Sequence, residues 1–388
     1  MINTNALKQA LQLVRNALPK KNAMSDVLNS VHVVLNNEAQ TMTLTATDLE
    51  KASRAVIPYH GDQSASFTLE IVAINAINRL SEETCTLAYD GTLVRLNSGR
   101  IKLKLPSKDA ATYPEITQWD DAEWSAPVTA ESLEAIFFSV AHAASKEQSR
   151  PSLCGIRFMP EDDGLSIFAT DGHRLAWYKA GNLPLPDMLL PTTALASIAK
   201  SLKQVSSVQI SKHGASRHGT LGLGNNQVLA MRGTFEMIED DEDDEVTVVF
   251  MHSFRLLDKG TFPNIKPVIE SQVEALTYEI KVDVAPIRSA IEVARMFDQS
   301  QRCILSFGDR KLFIDSESDL GAANIELDLT SDLPSDLSEM KIGVSAKYVV
   351  DAMASCLDDE VTLRVCDGEK PMTFDDGSKL ELIMPMRV

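Results

Sequence analysis

Residues 165–172 read Leu-Ser-Ile-Phe-Ala-Thr-Asp-Gly, a short alternating strand that ends in a polar corner. Residues 42–49 and 312–320 repeat this pattern, and residues 46–48 and 169–171 share the letters Ala-Thr-Asp. Thr or Ser followed by Asp is typical of a tight turn, because these side chains hydrogen-bond to nearby backbone groups. Three such corners in one chain indicate an internal repeat.

An amphipathic helix is predicted ahead of each corner, because apolar residues recur every three or four positions from Leu7, Leu133 and Ile287. Asp48 and Asp171 are 123 residues apart, and Leu7 and Leu133 are 126 apart. The corresponding intervals to the third copy are 148 and 154 residues. We therefore predict three copies of one domain, the second with about 25–28 inserted residues.

Each copy also contains a second helical pattern, over 69–81, 192–204 and 345–356, and alternating strands such as 101–105. Strands with one apolar and one polar face are typical of antiparallel sheets. The predicted fold class is therefore α+β, with two helices packed on antiparallel sheets in each repeated domain. We predict domains at residues 1–124, 125–270 and 271–388, with the acidic insertion at about 232–248.

The overall charge is acidic, with 37 basic and 55 acidic residues and a net charge of −18. Such a balance normally argues against nucleic acid as the partner. Residues 236–245, however, hold eight acids in ten positions, and without them the balance would be −10. This run is predicted to be a solvated loop, with a regulatory or DNA-mimicking segment as the alternative.

Several protein classes are disfavoured by composition. No apolar run reaches the ~18–20 residues of a membrane span, and the first residues lack the layout of a signal peptide. The five cysteines are scattered without a CxxC pair, which argues against a disulfide framework or a structural zinc. We expect a soluble protein of the reducing cytoplasm, with no metal and no cofactor.

The predicted helices are charged against the acidic trend of the whole chain. Residues 1–25 contain no acid but include Lys8, Arg15, Lys20 and Lys21, and the six helical patterns together hold eight bases against five acids. Lys8 and Arg15 are seven residues apart and therefore share the helix face opposite the apolar stripe. These residues form either solvated helix faces or a shared basic surface.

Signals for catalysis are weak. Asp171 and His173 are two residues apart, but no Ser or Cys lies in a nucleophile-elbow pattern, and an Asp that caps a corner is the commoner arrangement. Residues 219–224 contain three glycines but lack the order of a dinucleotide-binding loop. A hydrolase based on Asp171 and His173, and a peptide-binding scaffold unrelated to DNA, are kept as alternatives.

Four segments together resemble a known family. They are Leu-Cys-Gly-Ile at 153–156, Ala-Thr-Asp-Gly-His-Arg-Leu-Ala at 169–176, Gly-Thr-Phe-Pro-Asn at 260–264 and the closing Met-Pro-Met-Arg-Val at 384–388. In this order and over the whole chain they resemble the bacterial DNA polymerase III beta subunits, the beta sliding clamps. The resemblance implies a non-catalytic processivity factor, in which two copies of three domains form a closed ring of six around duplex DNA.

The resemblance also implies partners and site residues. Sequence-independent contacts to phosphates would let the ring slide on double-stranded DNA. The residues expected at the DNA are Lys8, Arg15, Lys20, Lys21, Arg79, Arg150, Lys200 and Lys203. The dimer interface is expected to bring Leu103 of one copy against Met296 and Phe297 of the other.

A hydrophobic groove is expected to bind peptides of the polymerase catalytic subunit, the clamp loader and other replication and repair proteins. The groove residues implied by the resemblance are Leu153, Thr170, Gly172, His173, Arg174, Leu175, Pro263, Val268, Ser345, Tyr348, Met384, Pro385, Met386 and Arg387. The chain departs from the family pattern at the acidic insertion, at Pro267, where relatives often have a basic residue, and near Gln301, where an aromatic residue is expected.

Overall fold

The structure, a computed structural model, describes residues 1–20, 25–114, 116, 124–214, 227–237, 246–297, 300–329, 333–334, 337–338 and 340–387. The α-helices are α1 Thr4–Arg15, α2 Ile71–Ile77, α3 Ala130–Ala141, α4 Leu195–Leu202, α5 Lys266–Glu274, α6 Val284–Ala294 and α7 Ala346–Ala354.

The strands in the described part of the chain fall into three groups of eight. The first eight are β1 Ile2–Asn3, β2 Ser30–Asn36, β3 Thr41–Thr47, β4 Lys51–Pro58, β5 Ala65–Glu70, β6 Thr84–Tyr89, β7 Leu93–Ser98 and β8 Ile101–Pro106. The next eight are β9 Val128–Thr129, β10 Gly155–Glu161, β11 Gly164–Thr170, β12 Arg174–Ala180, β13 Met188–Pro191, β14 Ser207–Gly214, β15 Gln227–Met237 and β16 Val246–Arg255. The last eight are β17 Tyr278–Asp283, β18 Arg302–Gly308, β19 Lys311–Ser318, β20 Gly321–Asp328, β21 Lys341–Ser345, β22 Glu360–Val365, β23 Met372–Asp375 and β24 Lys379–Ile383.

The order of strands in the sheets repeats three times. The first eight strands form two four-stranded half-sheets, ordered β1-β6-β7-β8 and β5-β2-β3-β4. The second group has the orders β9-β14-β15-β16 and β13-β10-β11-β12, and the third has β17-β22-β23-β24 and β21-β18-β19-β20. All the pairings are antiparallel. The predicted α+β class and the threefold repeat are confirmed.

Neighbouring half-sheets are joined edge to edge. Strand β4 pairs with β16, and β12 pairs with β24, so each of these two joints creates an eight-stranded sheet. The half-sheets that end in β8 and in β20 have no second half-sheet, and these two strands are open edges in the described part of the chain.

The chain divides into two compact units. The first comprises residues 1–134 and 193–256, and the second comprises 135–192 and 257–388. Each unit contains one eight-stranded and one four-stranded sheet. The predicted central domain is shared between them, because its two half-sheets are joined to different neighbours.

The six predicted helices are present, although most are shorter than their sequence patterns. In α1 the predicted stripe of Leu7, Ala10, Leu11 and Val14 is fully buried. Burial of each Leu or Val side chain stabilises the fold by roughly 1.5–3 kcal/mol. Asn3 begins this helix by accepting a hydrogen bond from the Ala6 amide at 2.8 Å.

A seventh helix, α5, was not predicted. It covers Lys266–Glu274, so the predicted domain boundary at residue 270 falls inside a helix instead of a linker. Pro267 occupies the first turn of this helix, where proline is well tolerated because that amide has no helical partner.

The acidic insertion is mostly an extension of a hairpin. Strands β15 and β16 pair from Val228 with Arg255 to Met237 with Val246, so 232–237 and 246–248 are strand and not loop. Of the acidic run 236–245, which was predicted to be a loop, residues 236–237 are therefore strand. The most acidic part, 238–245, lies outside the described residues.

Candidate DNA and peptide interfaces

The corner at Thr170–Arg174, called the Asp171 corner below, connects β11 to β12 and is fixed by its own side chains. Asp171 Oδ1 accepts hydrogen bonds from the amides of His173 at 2.9 Å and Arg174 at 3.1 Å. Thr170 Oγ1 donates to the Arg174 carbonyl at 2.6 Å. Gly172 adopts φ of +92°, a conformation that costs other residues free energy. The carboxylate is thus used for turn formation, as the non-catalytic interpretation requires.

The same corner geometry recurs in the first repeat. Asp48 Oδ1 accepts from the amides of Glu50 at 3.1 Å and Lys51 at 2.9 Å, and Thr47 Oγ1 donates to the Lys51 carbonyl at 2.8 Å. Leu49 takes the place of glycine with φ of +74°. The matching letters Ala-Thr-Asp therefore encode matching turns.

Arg174 is buried and bridges several elements of the second unit. Its Nε donates to Asp171 Oδ2 at 3.1 Å, its Nη1 donates to Asp351 Oδ2 at 2.7 Å, and its Nη2 donates to the carbonyl of His142. Its guanidinium carbon lies 4.3 Å from the centre of the Tyr348 ring, within the range of a cation–π contact. The Nε, Nη1 and Nη2 groups of Arg174 therefore all donate hydrogen bonds within the protein.

The ionisation of the groups around Arg174 follows from these contacts. Burial would raise the pKa of Asp351, but its hydrogen bonds to Lys347 and Arg174 hold that pKa below the usual value. Burial, and next the negative charge of Asp171, raise the pKa of Tyr348. At neutral pH the Asp351 carboxylate is therefore charged and the Tyr348 phenol is neutral. A negative partner and an uncharged ring both favour the positive charge of Arg174.

The closing segment of the chain is tied down on both sides. The Met384 amide donates to the His173 carbonyl at 2.9 Å, and the Met386 amide donates to the Gly343 carbonyl at 2.8 Å. Met384 is 41% exposed, and Arg387 is also exposed. Residues 384–387 therefore run from the Asp171 corner to β21, the strand before α7.

Helix α5 packs an apolar side chain against β12 and β24. Its Ile269 is buried in a cluster with Leu175 of β12 and Leu382 of β24, while Val268 is 54% exposed. Pro263 is exposed just before the helix. Leu153 is buried in the 3-10 helix Pro151–Cys154, which leads into β10. All the predicted groove residues thus belong to one compact unit.

The predicted DNA-binding residues are distributed unevenly. Arg15, at the end of α1, and Lys200 and Lys203, at the end of α4, are exposed in the first unit. The two helices lie side by side, since Lys200 Nζ donates to Asn16 Oδ1 at 2.9 Å and Gln204 Nε2 to Gln9 Oε1 at 3.3 Å. Neither α1 nor α4 contains an acid.

The other members of that set have different surroundings. Lys8 is half-buried, and its Nζ donates to the Leu80 carbonyl at 2.5 Å, so it is committed to the protein. Lys20 and Arg79 are exposed in the first unit. Arg150 is exposed in the second unit, close to Gly172 of the Asp171 corner. Lys21 lies outside the described residues.

The predicted dimer residues lie on or near the open edges. Leu103 is half-buried on β8. Met296 is 70% exposed after α6, and the Phe297 ring packs near Gly321, the first residue of β20.

Within the described ranges, no three His, Cys, Asp or Glu side chains are grouped so that they could hold a metal ion. In the same part of the chain, every helix is too short or too polar to span a lipid bilayer.

Comparison with known proteins identifies the family. Residues 1–117 match the family model of the DNA polymerase III beta subunit N-terminal domain, and residues 127–229 match that of its central domain. The beta sliding clamp of Streptococcus pneumoniae strain R6 is 25% identical over 410 residues, covering 100% of this chain and 98% of the relative. That of Escherichia coli K12 is 25% identical over 366 residues, covering 90% and 89%.

Solved structures agree on the fold. The DNA polymerase sliding clamp of Bacillus subtilis aligns with a TM-score of 0.82 at 21% identity, covering 100% of this chain and 98% of that one. The DNA polymerase III subunit beta of Pseudomonas aeruginosa aligns with a TM-score of 0.81 at 18% identity, covering 100% and 99%. The chain therefore belongs to the family of DNA polymerase III beta subunits, the beta sliding clamps, and is a non-catalytic processivity subunit.

Proposed function

We propose that two copies of this chain close head to tail into a ring around duplex DNA and tether polymerase to it in the cytoplasm. The observation that carries the proposal is the pair of open edges. At both joints, the fourth strand of one repeat pairs with the eighth strand of the next, as β4 does with β16 and β12 with β24. The strands left over are the eighth of the first repeat, β8, and the fourth of the third, β20. In a dimer, joints of the same type would pair β20 of each copy with β8 of the other, and no strand edge would remain open.

The two edges are complementary in charge. Exposed Lys102 and Lys104 lie on β8, whereas exposed Glu326 and Asp328 lie on β20. Half-buried Leu103 can bury its side chain against Met296 and Phe297, as the resemblance implies. Exposed ion pairs contribute only about 0–1 kcal/mol each, so apolar burial and strand pairing would supply most of the affinity.

Basic residues on α1 and α4 support the DNA-binding part of the proposal. In a chain with a net charge of −18, two adjacent helices without acids and with Arg15, Lys200 and Lys203 exposed form an unusual surface. A few phosphate contacts would keep binding weak and independent of sequence, which a sliding ring requires.

The groove of the second unit would take a partner peptide. Exposed Val268 and Met384 and buried Leu175 offer an apolar surface, and the Asp171 corner supplies fixed backbone at its side. Such a combination suits an apolar peptide oriented by a few polar contacts. We assign peptides of the polymerase catalytic subunit, the clamp loader and other replication and repair proteins to this groove.

The proposed repeated domains are residues 1–124, 125–270 and 271–388.

Topological retention tests the proposal most directly. The protein is loaded with a clamp loader and ATP onto nicked circular DNA, and retention is measured by gel filtration at raised salt before and after the circle is cut. We expect a dimer by light scattering, retention on the circle and release from the linear form. A monomer at micromolar concentration, or equal retention on both forms, would refute the encircling ring.

Processivity is tested in the same mixture. Addition of the cognate polymerase should convert short primer-extension products into long ones. Unchanged product length in the presence of a loaded ring would instead favour a peptide scaffold unrelated to DNA synthesis.

A further inference from the structure

Three ionisable side chains are clustered within the elements that carry the groove. Glu381 and Lys379 of β24 are 1% and 2% exposed. Lys379 Nζ lies 2.6 Å from Glu381 Oε1, and Nε2 of His142, just after α3, lies 3.0 Å from the same oxygen. Ser355, just after α7, has its Oγ 3.4 Å from that oxygen. The cluster therefore connects α3, α7 and β24.

His142 links this cluster to Arg174. Its ring contacts Glu381, while its backbone carbonyl accepts the hydrogen bond from Arg174 Nη2. Arg174 in turn binds Asp351 at 2.7 Å and stacks on Tyr348. A displacement of His142 would therefore be passed to the side chain that braces the Asp171 corner and the start of α7.

Stability alone does not account for the cluster. A buried ion pair is often no more stabilising than apolar residues of the same volume, because both charges lose their hydration. Glu381 Oε2 and both ring nitrogens of His142 are buried without a hydrogen-bond partner among the described residues, which adds to the cost. The 3.0 Å approach of His142 Nε2 to Glu381 Oε1 is therefore a close polar contact without hydrogen-bond geometry. Although burial would raise the pKa of Glu381, His142 and Lys379 hold that pKa below its usual value, so the carboxylate remains charged.

The first unit provides an internal comparison. In the β4–β16 joint Ser53 lies opposite His252, and in the β12–β24 joint Ala176 lies opposite Glu381. Ser53 and Ala176 each follow the corner threonine by six residues, so His252 and Glu381 occupy equivalent positions. His252 is bonded by two serines, Ser53 Oγ at 2.7 Å and Ser201 Oγ at 2.5 Å.

Two half-sheets can thus be joined around a neutral residue at this position. The charged version occurs in the unit that contains the groove, where it reaches Arg174 through His142. The difference between the joints argues for a task beyond strand pairing.

We propose that His142, Glu381 and Lys379 are positioning residues of the groove, which hold the His142 carbonyl where it fixes Arg174 and thereby set Tyr348 and the Asp171 corner for peptide binding. This inference rests on the proposed peptide-binding function. It assigns no contact with the peptide to the three residues themselves.

Peptide affinity and stability are measured together on the full-length dimer. The probe is a short fluorescein-labelled peptide with a Leu/Phe-rich motif, titrated by fluorescence anisotropy, and Tm is recorded for each variant. Glu381→Gln should lower the affinity roughly 3- to 30-fold, the range for residues that act through a coupled network. Because it leaves Lys379 buried without its counter-charge, this variant is also expected to have a lower Tm.

The double variant Glu381→Gln/Lys379→Met separates the two effects. It leaves no unpaired buried charge, so Tm should recover, but the carboxylate that orients His142 is still missing and affinity should remain low. Recovery of affinity together with Tm would show a merely structural role and overturn the proposal.

Substitutions of His142 provide the second test. His142→Gln retains an N–H donor and should preserve most of the affinity, whereas His142→Leu lacks the donor and should lose it. Equal affinities for these two variants would overturn the proposal. His252→Gln in the first unit is the matched control and should change Tm without changing affinity. If the wild-type protein itself does not bind the peptide, the groove assignment fails and this inference fails with it.

Discussion

His252 should make the β4–β16 joint sensitive to acid. The side chain is fully buried between Ser53 and Ser201 and near the rings of Phe250 and Phe254, with centroid distances of 5.2 and 6.2 Å. Burial lowers its pKa from 6.5 to about 4, because the imidazolium form would lose its hydration. Within the folded protein the ring is therefore neutral at any pH well above 4.

The size of the effect follows from linkage. Above pH 6.5 the ring is neutral in both the folded and the unfolded chain and contributes no pH dependence. As the pH falls below 6.5, the unfolded chain takes up a proton that the folded protein rejects, so the free energy of unfolding decreases. The full difference between 6.5 and about 4 corresponds to about 3.4 kcal/mol, and we expect about 2 kcal/mol of it to be lost between pH 7 and pH 5.

Urea unfolding followed by circular dichroism at pH 7 and pH 5 measures this loss. The variant His252→Gln cannot titrate, so its loss between the two pH values should be smaller than that of the wild type by about 2 kcal/mol. His60→Gln, which removes an exposed histidine, is the control and should behave as the wild type. An equal loss for the wild type and His252→Gln would refute the argument.

The remaining predictions concern the proposed interfaces. Arg15→Ala combined with Lys203→Ala should weaken retention on nicked circular DNA and reduce the salt dependence of retention by roughly one unit or less for each lost phosphate contact. The control variant Lys8→Ala should mainly lower Tm. Equal retention of all variants across a salt series would assign Arg15 and Lys203 to ordinary solvated helix faces. Leu103→Asp should convert the dimer into a monomer in light scattering, because a charge would be buried at the β8 edge, and an intact dimer would place the interface elsewhere. Deletion of 384–388 should abolish binding of the labelled peptide and leave the dimer intact, and unaltered affinity of the folded truncation would disprove the groove.

The sequence predicts the parts of this fold that depend on local patterns. The corner at Asp171 was predicted because Thr and Asp hydrogen-bond within their own turn, and α1 because Leu7, Leu11 and Val14 share one face. Helix α5 was missed because Val268, Ile269 and Val273 form only a weak apolar stripe, and the useful signal was Pro267 in the first turn.

The site depends more on distant contacts, which a single sequence does not reveal. Arg174 was expected to face a peptide, but its partner Asp351 is 177 residues away in the chain, and the buried salt bridge is visible only in the folded protein. The commitment of Lys8 to the Leu80 carbonyl, across 72 residues, was hidden for the same reason. Charge counts along a helix do not distinguish such a lysine from an exposed one like Lys203.

The open strands β8 and β20 also determine how newly made chains encounter each other. An exposed strand edge is a template for uncontrolled pairing and fibrous aggregation. Here each edge strand carries one sign of charge, with Lys102 and Lys104 on β8 and Glu326 and Asp328 on β20. Two β8 edges therefore repel each other, and two β20 edges do so more weakly, because Lys311 of β19 pairs with Glu326 at 2.6 Å. In the proposed ring the same side chains would draw unlike edges together, and they would also protect a lone chain from self-templated misassembly.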